Sequence, residues 1–267
     1  MDLATRLLGT DLGSPHGVTT QDQWTRQLWH ITYWFAVPIG LIVLFGIFWC
    51  LLRYRAGSDG RGRGGRQASQ FQYHIPIEAA YTIIPLIIVA VVFGFMYNAE
   101  NKVNAVSKTP AVKITVDGFQ WGWRFIYPNG HEEVGTTANA LDINSQQNLP
   151  VLYMPEGETV QLHFVSEDVV HTFYVKEFLF NRDLIPGIDN TADFNVTRTG
   201  TFEGQCNNIC GQYHAYMRFM VRVMPKDAYD SWYASQSPCS VTTSGESHQT
   251  TLPPNHCPTS LSTARQV

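Results

Sequence analysis

Charged residues are scarce in this chain, and the first hundred residues contain long stretches without any. Asp, Glu, Lys and Arg make up 15% of the 267 residues, and the formal net charge is −4. This balance lacks the basic excess typical of nucleic-acid-binding proteins, so it argues against nucleic acid as a partner. The polar segment 1–23 has no apolar core of the kind found in a secretory signal peptide.

Cysteine is also scarce, with five residues, and the sequence has no Cys-x-x-Cys-His motif. The chain therefore carries no covalently attached c-type haem. Cys239 and Cys257 fall in the segment 237–267, which is rich in Ser, Thr and Pro and is predicted to be a flexible tail. If the tail lies outside the cytoplasm, these two cysteines could form a disulfide.

Two apolar blocks, residues 28–52 and 75–97, are each long enough to cross a membrane. About 20 helical residues span a hydrocarbon core of about 30 Å. The first block contains no charged residue, and aromatic side chains lie near both of its ends. The connecting loop contains five arginines, and such an excess marks the cytoplasmic side: Arg53, Arg55, Arg61, Arg63 and Arg66. We expect a helical hairpin over 24–99, with both termini and the rest of the chain on the external face.

The pattern changes after residue 100 to short segments in which apolar and polar residues alternate. Such segments are seen at 112–117, 160–164 and 219–223, and turn-forming Pro and Gly residues lie between them. Several short strands at this spacing predict an antiparallel β-sandwich or barrel over 100–236. The expected fold class is a membrane-anchored α+β protein, with an external segment 1–23 before the hairpin.

The richest motif holds four soft ligands within twelve residues: Cys206, Cys210, His214 and Met217. A further imidazole is available upstream at His171. Thiolate, thioether and imidazole ligands suit copper better than any hard cation. A blue-copper site uses one thiolate, whereas two thiolates four residues apart could be shared between two ions. Two copper ions bridged in this way would share one unpaired electron. Because the charge change is then spread over both ions, bond lengths would change little when an electron is transferred.

A structural zinc site is the main alternative for this cluster. His171, Cys206, Cys210 and His214 could close a tetrahedron around zinc. The usual zinc pattern has a second local histidine, which this sequence lacks, and zinc leaves Met217 without a role. A disulfide or a chance cluster also stays open at this point.

Glu78 and Trp121 are further candidate functional residues. Glu78 lies near the start of the second apolar block, where a carboxylate marks either a functional site or an ordinary interfacial charge. Trp121 lies in an aromatic stretch, residues 117–125, whose simplest role is core packing. Gly122 between two tryptophans could instead leave one indole exposed as a contact for a partner protein.

Together these motifs resemble subunit II of the haem-copper oxidases of the cytochrome c oxidase type. The resemblance covers about residues 25–235. It rests on the hairpin with Glu78 and on four segments of the predicted β-domain. These are the Gln-Trp-Gly-Trp stretch at 120–123, the segments 166–171 and 182–187, and the cysteine loop with Met217.

The resemblance implies a cupredoxin-like domain that holds a binuclear copper centre, Cu(A). The implied ligands are the side chains of His171, Cys206, Cys210, His214 and Met217, together with the backbone carbonyl of Asn208. The centre would accept electrons from cytochrome c and pass them to haem in subunit I, where oxygen is reduced to water and protons are pumped. The implied location is the bacterial cell membrane or an equivalent energy-transducing membrane.

Three further residues acquire roles from the resemblance. Trp121 matches the tryptophan through which electrons enter, and Glu78 matches a carboxylate at the mouth of a proton path into subunit I. Glu167 and Asp168 would add to an acidic docking surface for cytochrome c. Where the family usually has Glu, this chain has Asn208, so a magnesium ion shared with subunit I is expected to be bound weakly.

Overall fold

The computed structural model describes residues 13–14, 16–54, 72–136 and 149–236. Several predictions lie outside these residues. They concern the arginines beyond residue 54, the tail 237–267 with Cys239 and Cys257, and most of the segment 1–23. The chain divides into two compact units. One contains the described residues within the range 24–102, and the other contains those within the ranges 16–23 and 103–236.

Two long helices form the first unit, α1 over Asp22–Arg53 and α2 over Ile75–Val103. Both are long and apolar enough to cross a membrane, and neither has any residue of its most apolar window buried. Side chains such as Phe45 and Leu52 are about 70% exposed, at 68% and 72%. Exposing this much apolar area to water is unfavourable, so the predicted pair of apolar helices fits a lipid environment or the surface of a membrane partner.

The second unit is a β-sandwich, with ten strands among the residues that the structure describes. The strands are β1 (Val112–Phe119), β2 (Gly122–Ile126), β3 (Glu132–Thr136), β4 (Val151–Pro155), β5 (Thr159–Ser166), β6 (His171–Val175), β7 (Phe180–Leu184), β8 (Asn190–Asn195), β9 (Gly200–Cys206) and β10 (Arg218–Met224). A helix, α3, follows over Lys226–Ser235. One sheet has the order β3-β2-β1-β5-β8 and the other β4-β10-β9-β6-β7.

The predicted two-layer cupredoxin-like fold is confirmed, and its sheets are mixed. Most strand pairs are antiparallel, as expected, but β1 pairs with β5 in parallel and β10 pairs with β4 in parallel. Alternation of apolar residues indicates which face of a strand is buried. It carries no information on the direction of the neighbouring strand, so these two pairings could not be predicted.

Aromatic side chains fill the space between the sheets. Trp123 of β2 lies 5.0 Å from the ring of Phe219 on β10, and Phe164 of β5 lies 5.4 Å from Phe173 on β6. All four side chains are fully buried. Buried aromatic rings contribute large apolar areas to a core, so these contacts fix the distance between the two layers.

The metal-ligand motif lies at one end of this rigid sandwich. His171 is the first residue of β6, Cys206 is the last residue of β9, and β10 begins directly after Met217. A single loop, residues 207–217, connects β9 and β10. Because strands of one sheet hold both ends of the loop, its ligands are fixed by the scaffold.

Candidate metal centre

The structure brings the predicted ligands together in the interior. His171, Cys206, Cys210 and Met217 are at most 3% exposed, and His214 is half-buried. The ligand atoms of His171, Cys206 and Cys210 all lie within 4.8 Å of one another. This is the only group of this kind among the residues that the structure describes.

The two cysteine sulfurs are the centre of the cluster, 3.8 Å apart. Nδ1 of His171 lies 3.9 Å from the Cys206 sulfur, and Nδ1 of His214 lies 3.6 Å from the Cys210 sulfur. The Met217 sulfur lies 3.8 Å from the Cys210 sulfur. The two imidazoles thus approach different sulfurs.

Backbone groups of the loop complete this arrangement. The carbonyl oxygen of Asn208 lies 3.3 Å from the Cys206 sulfur, and the Asn208 side chain is half-buried. The Met217 carbonyl accepts hydrogen bonds from the Cys206 N–H at 2.9 Å and from the Trp123 indole N–H at 3.3 Å. A 3₁₀ turn over His214–Tyr216 places His214 and Met217 at its two ends. The loop conformation is therefore held by hydrogen bonds that need no metal.

The Asp168 carboxylate also supports the site, a role that the sequence did not reveal. Its Oδ1 lies 2.9 Å from Nε2 of His171, and the Nδ1 of the same ring faces Cys206. Ligating histidines commonly bind a carboxylate through their second nitrogen, which fixes the ring orientation. The sequence does contain a signal for this contact, because a carboxylate stands three residues before the histidine. The resemblance alone implies only a place for Asp168 in an acidic docking surface.

The two thiols differ in how easily they ionise. Burial opposes ionisation of Cys206, but contacts with His171, Asn208, Thr172 and His214 outweigh it and lower the pKa of the thiol to about 6. Burial raises the pKa of the Cys210 thiol, and the neighbouring Cys206 raises it further. One thiolate forms readily here, whereas two adjacent thiolates need a compensating positive charge.

The donor set fits copper. Two thiolates, two imidazoles and a thioether are soft or borderline ligands, and bound cations supply the positive charge that a second thiolate requires. All the side-chain donors converge on the pair of sulfurs, so the arrangement suits ions that share both sulfurs. A single tetrahedral ion would leave Met217 or the Asn208 carbonyl without a role.

Trp121 and Gln120 lie against the outside of the metal loop. The Trp121 indole N–H donates to the Cys210 carbonyl at 3.2 Å, and the Gln120 amide donates to the same oxygen at 2.7 Å. Trp121 is half-buried, and its ring lies 5.0 Å from that of Tyr213 in an edge-on contact. The neighbouring Trp123 is fully buried in the core. Core packing therefore describes Trp123 fully, whereas the Trp121 indole packs against the core and stays partly exposed.

A buried ion pair joins strands β1 and β2. Asp117 is 2% exposed, and its Oδ2 lies 3.6 Å from the guanidinium of Arg124 on the paired strand. Oε1 of Glu167 lies 3.7 Å from the same guanidinium nitrogen, Nη1. Burial raises the pKa of Asp117 to about 7; Arg124 counteracts part of this rise, and Glu167 and Asp168 add to it.

Glu78 belongs to the other unit and lies in the first turn of α2. Its Oε1 accepts a hydrogen bond from the His74 N–H at 2.8 Å, and Nδ1 of His74 accepts one from the Ile77 N–H at 3.4 Å. This reciprocal pair caps the helix N-terminus. Glu78 therefore has a structural role as a cap of α2.

Fold and site together define a class of protein: a helical hairpin suited to a membrane, followed by a cupredoxin-like domain with a buried Cys/His/Met cluster that could hold a metal. Comparison with known proteins identifies the family. The family profile described as cytochrome c oxidase subunit II, periplasmic domain, matches residues 112–224.

Relatives match over most of their length. A probable cytochrome c oxidase subunit 2 of Streptomyces avermitilis is 34% identical over 251 residues, which is 82% of this chain and 76% of that protein. Cytochrome c oxidase subunit 2 of Mycobacterium tuberculosis is 28% identical over 271 residues, covering 83% of this chain and 74% of that protein. The chain belongs to the cytochrome c oxidase subunit II family.

A solved periplasmic domain of subunit II of cytochrome oxidase from Bradyrhizobium japonicum is also similar to this chain. It is 26% identical, with a TM-score of 0.42, and the match covers 49% of this chain and 96% of that domain.

Proposed function

We propose that this chain is the subunit through which electrons enter a terminal oxidase. It would accept electrons from cytochrome c and pass them to haem in subunit I, where oxygen is reduced to water and protons are pumped. The observation that carries the proposal is the pair of buried cysteine sulfurs, 3.8 Å apart, with an imidazole beside each.

His171, Cys206, Cys210, His214 and Met217 would hold a binuclear copper centre, together with the carbonyl of Asn208. Bound there, the copper pair supplies one-electron redox chemistry. The protein contributes a site whose loop is already held by hydrogen bonds from Cys206 and Trp123, so little has to move when the charge changes. Small rearrangement favours fast electron transfer in both directions.

Trp121 is the proposed point where electrons enter. Its indole is half-buried, and it donates a hydrogen bond to the carbonyl of Cys210. A donor protein in contact with this indole would be connected to the Cys210 sulfur by a short path. The path runs through the hydrogen bond from Trp121 to the Cys210 carbonyl and then through Cys210 itself. Glu167, whose side chain is 59% exposed, supplies a negative charge that suits a basic cytochrome nearby.

The membrane unit has its own proposed role. We place the hairpin at 24–99 in a bacterial cell membrane or an equivalent membrane, against subunit I, with the copper domain, 100–236, and both termini on the external side. Glu78 would mark the mouth of a proton path into subunit I. Its bond to the His74 N–H would have to open or be shared for that role.

A magnesium ion shared with subunit I would depend on the residue at position 208. Asn208 offers its carbonyl to the copper site, and its side-chain amide is a weaker magnesium ligand than a carboxylate. We therefore propose that magnesium or manganese is bound weakly or only in part.

The direct test is to purify the oxidase complex through a tag on this chain, record its haem spectra and measure oxygen consumption with two donors. We expect activity with reduced cytochrome c. Activity with a quinol alone would favour a quinol oxidase instead, and absence of haem from the complex would exclude the terminal oxidase assignment. Trp121→Phe should slow oxidation of cytochrome c strongly, while Trp232→Phe, in α3, should have little effect.

A further inference from the structure

Gln120 occupies an unusual position beside the metal loop. The residue is exposed, yet its side-chain amide nitrogen and its backbone N–H are both directed at the site. The side-chain amide donates to the Cys210 carbonyl at 2.7 Å, and the backbone N–H donates to Oδ2 of Asp168 at 2.6 Å. Exposed glutamines usually direct the amide to water, because ordering it costs side-chain entropy.

The two contacts reach two different ligands. Asp168 uses its other oxygen, Oδ1, to hold Nε2 of His171 at 2.9 Å. The Cys210 carbonyl belongs to the residue whose sulfur lies in the centre of the cluster. Gln120 therefore connects His171, on β6, with Cys210, on the β9–β10 loop, from outside the ring of ligands.

The neighbouring loop residue is shaped for this contact. Gly211 has a φ of +126°, which other residues rarely adopt. A Cβ placed there would lie 2.9 Å from Cζ2 of Trp121 and 3.1 Å from Nε2 of Gln120. The close approach of the Gln120 amide to the Cys210–Gly211 peptide therefore depends on glycine at 211.

We infer that Gln120 is a positioning residue of the metal centre: its side-chain amide fixes the Cys210 peptide, while its backbone N–H holds Asp168 against the His171 ring. This inference rests on the proposed copper function of the site. Gln120 touches no ligand atom, so it acts only through the residues it holds. Partners of this kind typically change metal affinity or activity about 10- to 100-fold when they are removed.

The direction of the redox effect follows from the amide dipole. The N–H end of Gln120 points toward the site, and its partial positive charge favours the reduced, less positive state of a bound metal. Removing the amide should stabilise the oxidised state. A carboxylate at the same position should do so further.

The test uses the full-length chain purified in detergent and loaded with copper. We would compare wild type with Gln120→Met, which keeps the side-chain length without the amide, and with Gln120→Glu, which keeps the shape but replaces the donor with an acceptor. Both variants keep the backbone N–H that donates to Asp168, so they test the side-chain contact with the Cys210 carbonyl. Readouts are copper per chain, resistance to a copper chelator, electron paramagnetic resonance, and the reduced-to-oxidised ratio at a fixed ambient potential. Gln161→Met is the matched control, because Gln161 also donates to a backbone carbonyl and a carboxylate, those of Ser107 and Asp193.

We expect both Gln120 variants to bind copper, with about tenfold easier removal by the chelator for Gln120→Met. The reduced-to-oxidised ratio should fall several-fold in Gln120→Met and further in Gln120→Glu, and the resonance spectrum should change. Gln161→Met should match wild type in all of these. Variants with wild-type chelator resistance and redox ratio, or a Gln161→Met change of the same size, would overturn the inference. Wild type that binds no copper, or one ion per chain, would overturn the proposed function itself.

Discussion

Asp168 Oδ1 lies 2.9 Å from Nε2 of His171, so a carboxylate holds the outer nitrogen of the ring whose inner nitrogen faces the Cys206 sulfur. The His171 side chain is fully buried, whereas that of Asp168 is 31% exposed. The contact orients the imidazole before any metal arrives. It also increases the basicity of the nitrogen that would bind copper.

Replacing Asp168 with Asn should therefore weaken copper binding without preventing it. We expect about a tenfold loss of copper affinity, because the amide neither carries the charge nor fixes the ring as firmly. Competition with a chelator on the purified full-length chain measures this. Glu167→Gln is the matched control, since it removes a neighbouring negative charge that does not touch a ligand. Equal losses in both variants would show that general surface charge, not the contact with His171, determines the affinity.

Met217→Leu should change the redox potential while copper stays bound. A thioether in a weak axial position tunes a copper site more than it holds the ion. Met217 is 1% exposed, and exchange of Met for Leu in a core usually costs less than about 1.5 kcal/mol. Redox titration of the copper-loaded chain provides the measurement. Met220→Leu, at a buried residue three positions further on, should leave the potential unchanged. Loss of all copper from Met217→Leu would contradict this division of roles.

The buried Asp117 should make stability depend on pH. Its pKa is raised from 3.8 to about 7, so the folded protein holds this proton more tightly than the unfolded chain does. The stabilisation is fully present below pH 3.8 and is lost as pH rises toward 7. Asp117→Asn removes this component. The variant should therefore gain stability relative to wild type between about pH 4 and 7, and the gain should level off above pH 7.

Thermal unfolding of the full-length chain at several pH values checks this expectation. Asp230→Asn, which removes an exposed ion pair with Lys226, should follow the wild-type profile. Parallel profiles for wild type and Asp117→Asn would mean that Asp117 stays ionised in the folded protein.

Asn208→Glu should increase the magnesium or manganese content of the oxidase complex. A carboxylate is a stronger ligand for these hard cations than an amide oxygen, and the backbone carbonyl that faces Cys206 is retained. Metal analysis of wild-type and variant complexes provides the measurement, with copper as the internal reference. Full magnesium occupancy in the wild type would show that the amide suffices.

The sequence predicted the cluster of candidate ligands because most of them lie on one short loop. Soft side chains at 206, 210, 214 and 217 can meet without any long-range information, and only His171 had to be brought in by the fold. The apolar helices were predictable for a similar reason, since length and composition are local properties.

Contacts between distant segments could not be predicted in this way. Gln120 and Asp168 are 48 residues apart, and they meet because β1 and β5 pair in parallel, with Gly118 opposite Ser166. Alternation within a strand is compatible with either direction and several registers, so it could not place these two residues together. The different surroundings of Trp121 and Trp123 depend on the same tertiary arrangement.

The number of copper ions per chain tests the central claim most directly. We predict two copper ions in the matured full-length chain and a mixed-valence resonance spectrum in which one unpaired electron is shared by both. Cys210→Ser should lose both the spectrum and at least one ion, because a single thiolate cannot be shared in the same way. One copper ion or none in the wild-type chain, or zinc in its place, would contradict the account.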